Sequence, residues 1–215
     1  MDLDQTDPNA IEAALVTDKG TMVVTFFPEQ APRHVRNFLE LAQKGFYHGV
    51  AFHRVIRNFM VQTGCPNSKK GATGTPGTGG PGHQVPAEFN DLPHVRGTVS
   101  MARAQDPNSA GSQFFVVHGE HATFLDGQYT VFGKVEEGLE VLDQIANVDC
   151  SFGETGERSV PTERIEIRRI ELRERQARGD GEGDGDQSEA QGAAEAERRA
   201  SPVRDAVEAG EEAAS

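Results

Sequence analysis

The chain has 215 residues, of which 36% are hydrophobic, and its formal net charge is −13 at pH 7. This length suits one domain of ordinary size with an additional segment, and the low hydrophobic content indicates that part of the chain does not fold. Because so acidic a surface repels phosphate backbones and anionic lipids, we expect neither nucleic-acid nor membrane binding.

Residues 1–9 are polar and acidic and predict a flexible leader. They lack the basic stretch and apolar core of a signal peptide, and the longest apolar runs of the sequence are too short to cross a bilayer. These features predict a cytoplasmic protein.

The first structured segment, residues 11–27, has the pattern of a β-hairpin. Two β-rich runs, residues 13–17 and 21–27, flank a turn at residues 18–20. The sequence therefore predicts two antiparallel strands at the start of the domain.

Two segments have the pattern of helices. Pro32 suits the first turn of a helix, because its missing N–H is not needed there. Apolar residues then recur on one face from Val35 to Ala42, and Gly45 ends the pattern. Residues 139–147 predict a second, short helix.

Glycine and proline are concentrated in residues 64–86, which predict a long loop. No Gly-Lys-Ser/Thr sequence follows these glycines, which argues against a phosphate-binding loop.

Cys65 lies in a Gly-Cys-Pro turn that could expose its thiol. It is 85 positions from Cys150, the other cysteine of the chain, and this spacing favours reduced bystander thiols over a disulfide framework, a zinc site or a redox sensor.

The last apolar run changes phase part-way along its length. Ile165 and Ile167 alternate in one phase, whereas Ile170 and Leu172 alternate in the other. A strand can bury both pairs on one face only if a residue is inserted between them, so we expect a β-bulge at Arg168-Arg169.

The composition changes after about Arg178. Residues 179–215 carry 11 acidic and 3 basic residues, and residues 179–186 alternate glycine with acid. Such a segment cannot bury apolar surface, which predicts a disordered acidic tail over residues 176–215 after a domain of residues 10–175. The Asp-Gly alternation is similar to calcium-binding loops but lacks their terminal bidentate glutamate at the right spacing. Whether the acidity reflects adaptation to high salt or the tail alone stays open.

Three stretches combine apolar and amide side chains at fixed offsets. The first, residues 52–64, places an arginine, a phenylalanine, a methionine and a glutamine inside a strand-like run. Residues 100–104 and 111–117 repeat that mixture, and residues 124–127 and 129–135 complete the set. Together they predict a shallow apolar groove that contains one cation and two amides. Such a groove suits a proline ring flanked by peptide carbonyls, and it offers neither a nucleophile nor a metal site.

These stretches resemble the cyclophilin family of peptidyl-prolyl cis-trans isomerases. The chain carries FHRVIxxFMxQxG, SMAxA, GSQFF and FLDG in the family's order, and the resemblance covers roughly residues 10–172. It implies a mainly β fold, a closed eight-stranded antiparallel barrel capped by two helices. It also implies an enzyme without cofactor or metal, and we expect a monomer because a closed barrel leaves no edge for pairing.

The implied reaction is rotation about an X–Pro peptide bond, whose barrier of about 18–20 kcal/mol comes from amide resonance. A catalyst has to stabilise the twisted amide more than the planar one. The resemblance implies that Arg54, Phe59 and Gln62 are catalytic, with Arg54 donating a hydrogen bond to the prolyl nitrogen. The residues implied to contact the substrate are Met60, Ala102, Arg103, Ala104, Gln113, Phe115, Phe124, Leu125 and Tyr129.

The roles of these residues follow from the family's pattern. The proline pocket is matched by Phe59, Met60, Phe115 and Leu125. The amides of Gln62 and Gln113 would bond the substrate backbone, and the strip 102–104 would lie alongside the bound peptide.

Three positions depart from common members of the family. Arg103 replaces a frequent asparagine, which could alter the preference for residues flanking the proline. Phe124 replaces tryptophan and so lacks the indole N–H donor, which predicts weak binding of the inhibitor cyclosporin. Tyr129 replaces histidine. The changes at residues 124 and 129 indicate a prokaryotic-type enzyme.

Each of these residues also has an ordinary structural interpretation when it is considered alone. The apolar ones would be core residues, and Arg54 would be a surface or ion-paired arginine; only the joint pattern favours a site. His118 and His121 are expected in a solvated loop and not as metal ligands. His53 is expected to pack within the barrel.

Two classes of function remain. An active isomerase would act on proline-containing peptides and on unfolded or folding proteins, whereas a binding module would hold proline peptides with little turnover and recruit partners through its tail. The first is favoured because the residues of the groove, Arg54, Phe59, Gln62, Gln113 and Phe115, are all intact.

Overall fold

The computed structural model describes residues 1–154 and 156–175, so that the predicted acidic tail lies outside the described residues. Within these residues the chain forms eleven strands and two α-helices. In chain order they are β1 (Ile11–Thr17), β2 (Gly20–Phe26), α1 (Pro32–Gln43), β3 (Val50–Ala51), β4 (Arg54–Ile56), β5 (Met60–Thr63), β6 (Thr98–Met101), β7 (Phe114–Val117), β8 (Val131–Glu137), α2 (Leu139–Ala146), β9 (Cys150–Phe152), β10 (Arg158–Pro161) and β11 (Glu166–Glu174).

Nine of these strands form one antiparallel sheet in the order β3-β11-β1-β2-β8-β6-β7-β5-β4, and β9 pairs with β10 in a separate hairpin. The strands at the two ends of the sheet, β3 and β4, are separated in the sequence only by Phe52 and His53. The sheet is therefore strongly curled. The expected mainly β architecture with two helices is confirmed. The expected number of eight strands is wrong, because Phe52 and His53 divide one segment into two short strands at opposite ends of the sheet.

The predicted hairpin is confirmed as β1 and β2. Thr17 pairs with Gly20 at its end, and the Thr17 hydroxyl donates to the Gly20 carbonyl over 2.8 Å. Gly20 has φ of +135°, and a Cβ there would lie 2.7 Å from Cγ2 of Val141 on α2. The turn thus requires glycine both for its backbone conformation and for the close packing of the second helix.

The predicted helices are also confirmed, and α1 packs into the main core through an aromatic cluster. The Phe38 ring lies 5.2–5.6 Å from four other rings, which belong to Phe26, Tyr47, Phe114 and Phe132. None of the helices in the described part of the chain is long and apolar enough to span a membrane.

The predicted bulge in the last strand is confirmed. Val16 pairs with Arg169 whereas Thr17 pairs with Ile167, so that Arg168 is the inserted residue. As a result Ile167 and Ile170 are both buried, although they are three positions apart.

The leader, residues 1–9, contacts α1. The Leu3 side chain is buried in the main core, and Asp4 forms an ion pair of 2.6 Å with Arg36. The Gln43 side chain donates to the Met1 carbonyl over 2.6 Å. These contacts would have to break for the leader to move, and its flexibility stays a prediction.

The N-terminus of α1 is capped by a residue from a distant loop. Its N-cap residue, Ala31, offers no side-chain hydrogen bond. The Glu88 carboxylate instead accepts from the backbone N–H groups of Arg33 and His34 over 3.0–3.1 Å, and it lies 2.7 Å from Nδ1 of His34. A negative charge at this position satisfies donors that have no partner within the helix and interacts favourably with the helix dipole.

We expect Glu88→Ala to lower the free energy of unfolding by about 2 kcal/mol, because it removes the cap of α1 and the carboxylate partner of His34. Chemical denaturation followed by circular dichroism measures this change. Glu29→Ala is the matched control, since it removes an equal charge from an exposed position. Equal losses in the two variants would contradict the capping role.

Candidate active site

The floor of the site and the main core are opposite faces of the same strands. Side chains alternate along a strand, and β5 pairs with β7 so that Met60 lies opposite Val117 and Gln62 opposite Phe115. On β7, Phe114 and Val116 enter the main core, whereas Phe115 and Val117 belong to a second apolar cluster on the other face. This is why the Phe-Phe-Val-Val run is apolar throughout: both faces of the strand are buried.

The second apolar cluster forms a small pocket at the surface, with a cavity volume of about 110 Å³. Its floor is apolar, and its lining also includes two guanidinium groups and one amide. The lining residues are Arg54, Phe59, Met60, Gln62, Ala102, Arg103, Phe115, Leu125 and Tyr129. All nine are residues that the resemblance implies to be catalytic or substrate-binding.

Two further predicted residues line a larger cleft beside this pocket. Ala104 and Gln113 lie in a cleft of about 810 Å³, whose other wall is the glycine-rich loop at residues 77–84. Arg103 borders both cavities. Its guanidinium lies 4.7 Å from the centre of the Tyr129 ring and donates to backbone carbonyls, including that of Gln128 over 3.1 Å. The Arg103 side chain is therefore held across the boundary between the cleft and the pocket.

His94, which the sequence analysis did not single out, supports the pocket floor from behind. Its ring stacks on Phe115 with centroids 6.0 Å apart, and its Nε2 lies 3.0 Å from the Ser100 hydroxyl. Asp126, from the FLDG motif, accepts from the His94 backbone N–H over 2.8 Å and lies 2.8 Å from Nδ1. Burial lowers the pKa of His94, although Asp126 opposes this shift. It lies six positions before the SMAxA motif but belongs to no matched motif, so that no signal in the sequence pointed to it.

Phe59 follows a tight turn that a histidine holds in place. Asn58 has φ of +61°, and its backbone N–H donates to Nδ1 of His118 over 2.9 Å. Nε2 of His118 therefore carries the proton and donates to Asp143 on α2 over 3.1 Å. The expectation of a solvated loop is wrong for His118, which is buried, because its ring has to reach under the turn; His121 is exposed. The part of the chain that the structure describes contains no group of three or more side chains that could hold a metal ion.

Arg54 lies between two acceptors. Its Nη1 is 3.5 Å from Oε1 of Gln62, its partner residue on β5. On the other side, Nε and Nη2 donate to the two carboxylate oxygens of Glu157 over 2.7 and 2.9 Å. This hydrogen bond from Arg54 is the main reason why the pKa of Glu157 is lowered. The sequence analysis missed Glu157, which is 103 positions away from Arg54 in the chain.

The two amides of the site form a connected row that ends at the glycine-rich loop. Nε2 of Gln62 donates to Oε1 of Gln113 over 3.1 Å. Nε2 of Gln113 donates in turn to the carbonyls of Gly77 and Gly79 over 2.8 and 2.9 Å. Because both amide protons of Gln113 are used, this side chain holds the loop against the end of β7.

Cys65 holds the same loop from beneath. Its thiol is buried and accepts from the backbone N–H groups of Gly77 and Gly79 over 3.1 and 3.3 Å. The expectation of an exposed thiol is wrong, because the loop folds back over the Gly-Cys-Pro turn and covers it.

Comparison with known proteins decides the family. A model described as cyclophilin type peptidyl-prolyl cis-trans isomerase/CLD matches residues 13–172. The chain belongs to this family. As a cyclophilin it is a peptidyl-prolyl cis-trans isomerase, an activity that needs no cofactor.

Similar proteins include bacterial isomerases and a solved structure. A peptidyl-prolyl cis-trans isomerase of Synechococcus elongatus is 50% identical over 140 residues, which are 64% of this chain and 90% of the relative. Peptidyl-prolyl cis-trans isomerase B of Bacillus subtilis is 45% identical over 137 residues, 63% of this chain and 90% of the relative. The crystal structure of a cyclophilin type isomerase of Cryptosporidium parvum has a TM-score of 0.65 and 30% identity, and covers 76% of this chain and 99% of that one.

Phe124, which the sequence analysis expects in place of tryptophan, is solvent-exposed. The Phe124 side chain is 64% exposed, and its ring lies 5.4 Å from that of Phe59. Phe124 therefore extends the apolar rim of the pocket outwards and presents no hydrogen-bond donor there.

His53 packs against the glycine-rich loop, whereas the preceding residue, Phe52, enters the main core. A Cβ on Gly77 would lie 3.6 Å from the His53 ring. Both ring nitrogens are buried, and neither forms a hydrogen bond of good geometry within residues 1–154 and 156–175. The expected position within the barrel is therefore wrong for His53. Burial lowers the pKa of His53 to about 4.

We expect His53 to make the folded cyclophilin less stable in mild acid. Between pH 6.5 and about 4 the unfolded chain binds a proton at His53 and the folded chain does not, so that stability is lost as the pH falls through this range. The slope of unfolding free energy against pH should be smaller in His53→Gln, by up to about 1.4 kcal/mol per pH unit. Urea denaturation at a series of pH values measures the slope. His121→Gln is the control for loss of one imidazole, and equal slopes in wild type and His53→Gln would refute the assignment.

Proposed function

We propose that this cyclophilin rotates X–Pro bonds in peptides and in unfolded or folding proteins, with Arg54, Phe59 and Gln62 as its catalytic residues. The observation that carries this assignment is the position of Arg54 and Gln62 at the rim of a small pocket whose floor is Met60 and Phe115. A proline ring seated on that floor would bring its peptide bond to the rim, where the guanidinium and the amide stand.

Arg54 stabilises the twisted amide. On rotation the prolyl nitrogen regains a lone pair and becomes a hydrogen-bond acceptor, which the planar amide is not. A guanidinium keeps its charge next to an apolar surface, whereas an ammonium group there could lose its proton. If Arg54 contributes about 3–5 kcal/mol in the transition state only, it accelerates the rotation by two to four orders of magnitude.

Phe59, Met60, Phe115 and Leu125 bind the proline ring. Met60, Phe115 and Leu125 are at most 7% exposed, so that the pocket is preformed and little ordering is lost when a ring enters it. Phe124 and Tyr129 complete the rim of the pocket.

The substrate backbone runs along the strip Ala102, Arg103 and Ala104 and is bound by the amides of Gln62 and Gln113. Since Gln113 already donates to two glycine carbonyls, it accepts from the peptide or exchanges one of these bonds for it. The Cryptosporidium parvum isomerase was crystallised in the presence of the dipeptide Ala-Pro, which supports proline-containing peptides as the substrates here.

The wider setting of the activity belongs to the same proposal. The net charge of −13 supports peptide partners over nucleic acid or membrane surfaces. The proximity of β3 and β4, at the two ends of the sheet, supports a closed barrel and therefore a monomer without a free sheet edge. Assistance to protein folding and a cytoplasmic location complete the proposal.

The catalytic role of Arg54 is tested by the rate of cis/trans exchange. Wild-type protein should accelerate cis/trans exchange of a short X–Pro peptide, measured by NMR exchange spectroscopy. Arg54→Ala should reduce kcat/KM at least about 100-fold, because the bond to the prolyl nitrogen is made only in the transition state. Arg57→Ala, an exposed arginine three positions away, is the matched control. Saturable binding of the peptide by the wild type without faster exchange would show a peptide-binding module instead.

The exposed Phe124 determines how tightly cyclosporin binds. Binding should be weak in the wild type, and Phe124→Trp should tighten it about 5–10-fold, because the indole supplies an N–H donor at an exposed edge of the pocket. Isothermal titration calorimetry measures both affinities, and Phe124→Leu controls for the shape of the side chain. Tight binding by the wild type would contradict the assigned role of residue 124.

A further inference from the structure

The guanidinium of Arg54 is hydrogen-bonded along one of its edges. Nε and Nη2 form a bidentate pair with the Glu157 carboxylate, at 2.7 and 2.9 Å. Such a pair fixes the plane of the guanidinium as well as its position. The remaining nitrogen, Nη1, faces Gln62 and the pocket that Arg54 and Gln62 both line.

Glu157 reaches Arg54 from an element outside the nine-stranded sheet. It precedes β10, and its carbonyl accepts from the Gly153 N–H over 2.9 Å, which closes the loop of the β9–β10 hairpin. Ser159, two positions later, is buried at 5% exposure and anchors β10. The hairpin, whose strand β10 contacts β4, therefore supports Arg54 on the side that faces away from β5.

We propose that Glu157 is a positioning residue that holds Arg54 in the orientation needed for catalysis. This inference rests on the proposed role of Arg54 as the donor to the prolyl nitrogen. With Nε and Nη2 bonded to Glu157, Nη1 is the nitrogen directed at the rim of the pocket, and it reaches the reacting bond without a search through side-chain rotamers.

Glu157 has two opposing effects on the reaction, and their sizes decide its net role. The carboxylate offsets part of the positive charge that the twisted amide would experience. Both side chains of the pair are 38% exposed, so that water and salt screen this effect strongly. Loss of the bidentate hydrogen bond, in contrast, frees the long Arg54 side chain. Its conformational entropy would then have to be lost each time the transition state forms. We therefore expect Glu157 to promote catalysis.

Glu157→Ala should lower kcat/KM about 10-fold in the peptide exchange assay, with most of the loss in kcat, because the bidentate pair matters where the bond to the prolyl nitrogen forms. Glu157→Gln keeps one acceptor oxygen and should recover part of the rate. Glu154→Ala is the matched control, since it removes an exposed carboxylate from the same hairpin loop. Its rate should equal that of the wild type.

A double-mutant cycle separates positioning from a general loss of structure. In the Arg54→Ala background, removal of Glu157 should have no further effect, because there is no guanidinium left to hold. Additive losses would overturn the proposal, and so would a Glu157→Ala enzyme as fast as the wild type or faster. If Arg54→Ala itself left the rate unchanged, the proposed function would fail instead, so that the two failures are distinguishable.

The exchange of the Arg54 Nε–H proton with water tests the same inference without an activity assay. In the wild type, the Arg54 Nε–H should give a separate NMR signal that exchanges slowly with water, since it is bonded to a carboxylate. In Glu157→Ala this signal should broaden or disappear, while the backbone amide spectrum away from the hairpin keeps its dispersion. A persistent, slowly exchanging signal in Glu157→Ala would show that Arg54 is held without Glu157 and would refute the inference.

Discussion

Strands β5 and β7 have to bury both of their faces, and the rest of the molecule is arranged around that requirement. One face packs under α1 with Phe38, and the other forms the pocket floor with Met60 and Phe115. A shift of register by one residue would turn the pocket floor into the core and bring Phe114 and Val116 to the surface. The fold and the pocket are therefore specified by the same pairing of strands.

The polar groups of the site form a row that runs from one strand to the next, across the direction of the strands. Glu157, Arg54, Gln62, Gln113 and the carbonyl of Gly77 are joined by successive hydrogen bonds, from the β9–β10 hairpin to the glycine-rich loop. Each member is oriented by a neighbour on a different element. This arrangement presents rigid polar groups above an apolar floor without a charge in the floor itself, which suits a reaction in which no bond is broken.

Local patterns in the sequence predicted several elements, but neither the β9–β10 hairpin nor the contacts that orient the site. The hairpin, both helices and the bulge at Arg168 follow from periodicities of two or 3.6 residues and from glycine and proline positions, and the pocket residues follow from the family's motifs. The interactions of Glu88 with α1, of His118 with the turn at Asn58 and of Glu157 with Arg54 join residues 54, 60 and 103 positions apart. Such pairs depend on how distant loops meet, and no periodicity in the chain encodes that.

The burial of Cys65 makes its thiol a sensor of movements in the glycine-rich loop. Two backbone N–H groups of the loop bond its sulfur, and sulfur is a weak acceptor, so that these bonds add little to the stability of the closed loop. A thiol reagent reaches Cys65 only in molecules whose loop has opened. The labelling rate then equals the equilibrium constant for loop opening multiplied by the labelling rate of a free thiol. A peptide that fills the adjoining cleft slows labelling in proportion to the fraction of clefts that are occupied.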